Sequence, residues 1–346
     1  MALPARAPDG RDDSAFPGLS EAQFGTVAEE RLATAITVQA GGSATVAFPL
    51  LDLGFDLYLR RARTLRLHPV QVKARSFLQA DGQFQAGVAS LHLDPRGYVA
   101  FPFIPPPDWQ LSEALWAIPI PEFVKLARPH DGGYVFSGYL DGRLDSEANA
   151  YLVPVSGIQT HWLHRIPGWV APVHHSADNL IAPSEEVSKA GARAFGKSGE
   201  LWLAGELMRD GLENVVLAQD RLRVDAVDLL LHDLRTFAFR GLAVHTGTVN
   251  ARGVVEFRVR ADTFFVDERL DVICLPCQPD GQLAKTSFLI PSADIKEPIA
   301  TPSSDRGVGG YQVSFRLDPV AEKMRPYAIP TAELARTILK RLTATA

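Results

Sequence analysis

Asp56, Gln71 and Lys73 are residues whose types and spacing could do chemistry together. Hydrolysing a phosphodiester near neutral pH needs a hard cation that binds the scissile phosphate and lowers the pKa of a water. Oxygen ligands must hold that cation while leaving waters on it. A positive group must stand near the attacking water or the developing charge. Asp56 offers a carboxylate, Gln71 a side-chain carbonyl oxygen, the Val72 backbone a second carbonyl, and Lys73 the positive group. Side chains alternate along a strand, so Gln71 and Lys73 point to one face. If Asp56 ends a neighbouring strand, the three converge on one edge of the sheet. The bland alternative makes Asp56 a turn cap and Lys73 a strand residue that snorkels to solvent.

The surrounding pattern supplies elements to hold them. Ser20-Glu21-Ala22-Gln23 is a capping box. Phe24, Val27, Ala28, Leu32 and Ile36 follow at helical spacing, and Gly41-Gly42 ends the run. Glu29 lies on the flank of that apolar stripe, where it can face a cleft beside the core. Val46 to Leu51, Asp56 to Leu59 and Leu67 to Val72 are apolar and β-prone, and read as consecutive strands.

The same frame occurs twice. Phe24-Gly25, Glu29, Leu32 and Ala33 recur as Phe195-Gly196, Glu200, Leu203 and Ala204. Asp56 stands 27 residues after Glu29, and Asp228 stands 28 after Glu200. Lys73 and His245 each follow their aspartate by 17 residues, and Ile118-Pro119 and Ile290-Pro291 begin 45 residues later again. Two diverged copies of one α/β domain are expected, each a central mixed β-sheet flanked by helices. The chain then divides into a disordered leader (1–18), a first domain (19–150), a connector rich in Pro, His and Trp (151–183) and a second domain (184–346). Ser184 is a candidate N-cap for the second domain's first helix, and Asp210-Gly211 its end. Thr331 to Leu342, with Leu334, Ile338 and Leu342 in helical register, closes the chain as a helix.

A helix bearing Glu, then an Asp, then a strand with Gln-x-Lys resembles the restriction-endonuclease-like, or PD-(D/E)XK, nuclease superfamily over about Phe24 to Arg75. Gln71-Val72-Lys73 is similar to the Gln-x-Lys variant of its Mrr-like branch. The resemblance implies tandem restriction-endonuclease-like folds and Mg²⁺- or Mn²⁺-dependent cutting of DNA. Asp56, Gln71 and the Val72 carbonyl would hold the metal, Glu29 would assist it, and Lys73 would support the nucleophile. It also implies a cytoplasmic setting in restriction or phage defence, with a homodimer or companion subunit as partner. Phe55 stands where the motif's name expects Pro, and Gln71 replaces the commoner acid, so the site holds its cation with one negative charge fewer. The alternative function is a non-catalytic nucleic-acid-binding or scaffold protein built on degenerate copies.

Arg60, Arg61, Arg63, Arg66 and Arg75 join Lys73 around the motif as a local basic stretch that could grip phosphates, in a chain whose formal net charge is -5. The competing reading of Arg60 to Arg66 is a solvated hairpin tip. In the second copy Ala243 replaces Gln71 and His245 replaces Lys73, so that copy reads as catalytically dead. His161, His164, His174 and His175 cluster in the connector, where nearby Trp162 and Trp169 favour packing over zinc. Two cysteines, Cys274 and Cys277, exclude a disulfide framework, and their apolar setting reads as core. The sequence shows no bilayer-spanning apolar run, P-loop, dinucleotide loop or nucleophile elbow.

Overall fold

The computed structural model describes residues 20–41, 43–50, 54–143, 146–167, 169, 187–210, 214–220, 226–261, 263–280, 282–305 and 308–344. The leader, Ser184, Gly211, His174 and His175 lie outside them. The chain divides into two compact units, Met1–Arg61 with Leu67–Pro172, and Ala62–Arg66 with Val173–Ala346. Both are mixed α/β.

In the first unit, helix α1 (Glu21–Ala40) begins at the Ser20 box. Ser20 Oγ accepts from the Gln23 amide, and Gln23 Oε1 accepts from the Ser20 amide. Such a cap is worth about 1 kcal/mol. The helix ends at Gly41 in the left-handed region, with φ 55°. Strands β1 (Ala44–Pro49), β2 (Leu57–Arg61), β3 (Leu67–Val72), β4 (Phe84–Val88), β5 (Tyr98–Pro102) and β6 (Ala114–Pro119) follow. Then come α2 (Ile120–Leu126), β7 (Arg128–His130), β8 (Gly133–Gly138), β9 (Leu152–Pro154) and the single turn α3 (Ile158–His161). The main-sheet strands run in the order β1-β2-β3-β5-β6-β9. β3 and β5 are parallel and the other neighbours antiparallel.

Strand alternation divides the core into two layers. Leu57, Leu59, Val70, Val72, Ala100 and Leu115 point toward Phe24, Ala28, Leu32 and Ile36 of α1. The opposite face is covered by the small sheet β4-β8-β7. There Phe101 stacks on Phe136 with centroids 4.4 Å apart, and Phe84 meets Trp116 at 5.4 Å. The segment read as connector starts with β9 and continues through α3. Its Ile158, Trp162, Leu163, Ile166 and Trp169 are buried in the α1 layer. Their helical spacing was masked in the sequence by intervening Pro and His. His161 and His164 are exposed.

In the second unit the elements are α4 (Val187–Arg209), β10 (Val215–Asp220), β11 (Leu229–Asp233), β12 (Phe239–Thr248), β13 (Val254–Arg260) and β14 (Leu270–Cys277). They continue with β15 (Thr286–Pro291), β16 (Thr301–Asp305), β17 (Val308–Arg316), β18 (Ala328–Pro330) and α5 (Leu334–Ala344). The main-sheet order is β10-β11-β12-β14-β15-β18, with β12 and β14 parallel, and β13-β17-β16 forms the small sheet. Each order matches its counterpart in the first unit strand for strand. Leu203 and Leu207 of α4 pack with Leu229, Leu242 and Val244. Leu334, Ile338 and Leu342 of the closing helix join the same layer, as their spacing predicts. Cys274 and Cys277 are free, buried residues of β14, and burial pushes both thiols up. Among the described residues no helix is long and apolar enough to cross a membrane.

Candidate functional site

The carboxyl end of β3 gathers most of the residues singled out above. The β2–β3 ladder ends with Leu57 opposite Val70, and Asp56 directly precedes Leu57 in the chain. Two hydrogen bonds bracket Gln71 from Asp56. The Asp56 amide donates to the Val70 carbonyl at 3.0 Å, and Asp56 Oδ2 accepts from the Val72 amide at 2.6 Å. The second is a short, charge-assisted bond. Gly54 brings the chain to this point. Its φ of +100° favours glycine, and a Cβ there would meet the His92 ring.

Val70 and Val72 face α1, so Gln71 and Lys73 belong to the other side of the sheet. Gln71 is only 2 % exposed. Its Nε2 donates to the Ser90 carbonyl at 3.0 Å. Carbonyl oxygens only accept, so the amide cannot be turned over without losing that bond. Its Oε1 is therefore aimed away from Ser90, and it is buried without a hydrogen-bond partner. Lys73 continues the line of β3, with its amide on the Ala100 carbonyl at 2.9 Å and its side chain half-buried.

The structure thus groups Asp56, Gln71 and Lys73 and places Glu29 differently. Glu29 is half-buried on α1, the helix that covers the Val70 and Val72 face, opposite Gln71. The arginine stretch is also unlike a uniform exposed patch. Arg60 is fully buried, Arg61 is half-buried, and Arg63 and Arg66 are exposed. Arg60 alternates with the apolar Leu57 and Leu59, which places it on the covered side of β2 rather than at a solvated tip. Arg75 is half-buried, and its Nε donates to the Gln85 carbonyl of β4 at 2.9 Å. Ser90, Gly54 and His92 were missed in the sequence. Gly54, two residues before Asp56, was the one legible signal.

The second unit repeats the scaffold with different side chains. Asp228 Oδ2 accepts from the Val244 amide at 2.7 Å, and the Asp228 amide donates to the Leu242 carbonyl at 2.9 Å. Ala243 is buried where Gln71 stands in the first unit. His245 stands in the place of Lys73, its Nε2 buried with no hydrogen-bond partner. Glu200, the counterpart of Glu29, is buried and held by Lys197 at 3.1 Å and Gln219 at 3.2 Å. Thr26 and Phe48 occupy the matching positions in the first unit.

Desolvation lowers the His245 pKa to about 4, so at neutral pH it is an uncharged ring rather than a cation. The folded pKa lies below the unfolded value near 6.5, so the unfolded chain binds the extra proton between the two. Stability of the second unit should therefore fall as pH drops from about 6.5 toward 4, by up to about 3 kcal/mol from this group alone. Urea unfolding monitored across that range should show a shallower acid loss for His245→Phe than for wild type. Parallel pH curves would show that the ring is solvated.

Among the described residues no three His, Cys, Asp or Glu side chains gather as a metal site. The Asp56 and Gln71 pair is of a different kind, one carboxylate with one amide oxygen. Comparisons with protein-family models, curated protein sequences and solved structures find no match.

Proposed function

We propose that the chain is a Mg²⁺- or Mn²⁺-dependent DNA endonuclease of the restriction-endonuclease-like class, with a working site in the first unit and a degenerate copy in the second. The observation that carries this reading is the buried, unpartnered Gln71 Oε1 next to Val72, whose amide holds the Asp56 carboxylate, with Lys73 following in the chain. An orphaned buried carbonyl oxygen is costly unless something fills its acceptor site, and a hard cation suits it. Asp56, Gln71 Oε1 and the Val72 carbonyl are the oxygens that would hold such an ion. When bound, it supplies Lewis-acid activation of the scissile phosphate and a water of lowered pKa.

The chain's own residues set the rest. The Val72 amide orients the Asp56 carboxylate, and Gly54 provides the turn that delivers it. Lys73 places a positive charge beside the attacking water or the leaving oxygen. The matching strand orders of the two units support descent from one duplicated domain. Glu29, on the helix over the opposite face, is left out of the proposed ligand set. Arg63 and Arg66 are the stretch's exposed arginines for a phosphate. The single carboxylate among these ligands favours the second reading, a DNA-binding chain that no longer cuts.

The test is incubation of supercoiled plasmid with the purified chain. Conversion that needs Mg²⁺ or Mn²⁺ and stops in EDTA is expected. Retarded but intact plasmid under every metal condition would select the binding-only reading.

A further inference from the structure

We propose that the Ser90 carbonyl selects an amide over a carboxylate at position 71. The Gln-x-Lys sequence would then be a requirement of this fold rather than a weakened version of an acidic motif. Gln71 is enclosed, and the Ser90 oxygen sits 3.0 Å from the atom that bonds it. That atom must be a donor. In a glutamate of the same conformation it becomes an anionic oxygen facing a carbonyl oxygen, which is repulsive and removes the donor as well.

The surrounding charges do not reverse this. Asp56, held on the amide of the neighbouring Val72, opposes a second anion. From the segment before β5 come His92 and Asp94, the latter buried and gripped by Arg96 at 3.0 and 3.1 Å. β4 and β5 contribute no charged residue. Lys73 and Arg60 favour an anion, but neither restores a donor between residue 71 and Ser90. With Nε2 committed, Oε1 is the side-chain oxygen that residue 71 has left for a ligand. The cation as that ligand rests on the function proposed above, whereas the selection of an amide rests on the hydrogen bond alone.

The experiment compares wild type, Gln71→Met and Gln71→Glu by thermal unfolding in EDTA, and by Mn²⁺ binding read from electron paramagnetic resonance. Methionine removes the donor without adding charge. The expected order of Tm is wild type, then Gln71→Met, then Gln71→Glu, the last roughly 5 °C or more below wild type. Gln71→Glu should bind Mn²⁺ no more tightly than wild type despite its added charge, and Gln71→Met should bind it at least tenfold more weakly. A Gln71→Glu protein at or above Gln71→Met in Tm overturns the proposal. Should neither variant fold, hydrogen exchange of the Gln71 side-chain amide in the nitrogen-15-labelled wild type decides. Slow exchange supports the clamp, and exchange at the rate of a solvated amide overturns it. If the Tm order holds while no form binds Mn²⁺, the clamp stands and the nuclease reading fails.

Discussion

Lys73→Ala should abolish metal-dependent cleavage, by at least about 10²-fold and more if the lysine meets developing charge, while leaving stability within about 0.5 kcal/mol of wild type. The separation follows from where its bonds are. The Lys73 tie to β5 is a backbone bond, from its amide to the Ala100 carbonyl, and alanine keeps it. The side chain is not part of the apolar layer that packs on α1. Asp56→Ala should behave differently. Its carboxylate receives the Val72 amide, and Val72 is buried. Removing it strands that donor, at about 1–3 kcal/mol, in addition to removing the metal ligand. The second unit isolates this structural share, because Asp228 makes the same bond to Val244 beside Ala243, where no metal ligand remains. Asp228→Ala should therefore lose stability comparable to Asp56→Ala and no cleavage. Denaturant unfolding of the three variants beside plasmid assays measures each part. Full cutting by Lys73→Ala would move the site elsewhere, and an unaltered Asp228→Ala protein would remove the structural role of the aspartate.

Much of this frame was legible in the sequence because it depends on local rules. The Ser20 box, the Phe24 to Ile36 stripe and the run from Leu67 to Val72 became α1 and β3 with boundaries close to those expected. The register of Asp56 and Asp228 to their downstream strands followed from equal spacing, and both now make the same bond. What escaped was set by long-range packing. No periodicity announces that Arg60 is buried or that Arg75 turns onto Gln85. The second depends on β4 of the small sheet, whose Gln85 carbonyl receives the bond. The Gln71 clamp was hidden for the same reason, since its partner is a backbone atom 19 residues away. Residues after Pro154 looked like a connector because His161 and His164 sit among the apolar Ile158, Trp162 and Ile166 and prolines flank them, yet these side chains complete the first core. A repeat that spacing alone could have shown is Asp94-x-Arg96 with Asp267-x-Arg269, a two-pronged guanidinium grip made the same way in each unit.

Supercoiled plasmid should pass through nicked circles before linear product appears, and His245→Ala should leave that time course unchanged. The two units share their strand order and their aspartate bond, and the differences fall on chemistry. Ala243 has no oxygen to offer, His245 is neutral near pH 7, and Glu200 is already engaged by Lys197 and Gln219. One working site per chain hydrolyses one strand per encounter. A cut through both strands then needs a second chain or a second visit. Chain concentration separates these cases. Linear product that rises with the square of concentration marks pairing of two chains, and first-order growth behind the nicked circle marks independent visits. Installing both missing side chains, Ala243→Gln with His245→Lys, is the converse test. The buried position of Ala243 and the occupied Glu200 should prevent recovery, so the nicked intermediate should persist. Loss of cutting in His245→Ala equal to that in Lys73→Ala would show that the second unit also works, and the assignment of one live and one dead site would fall.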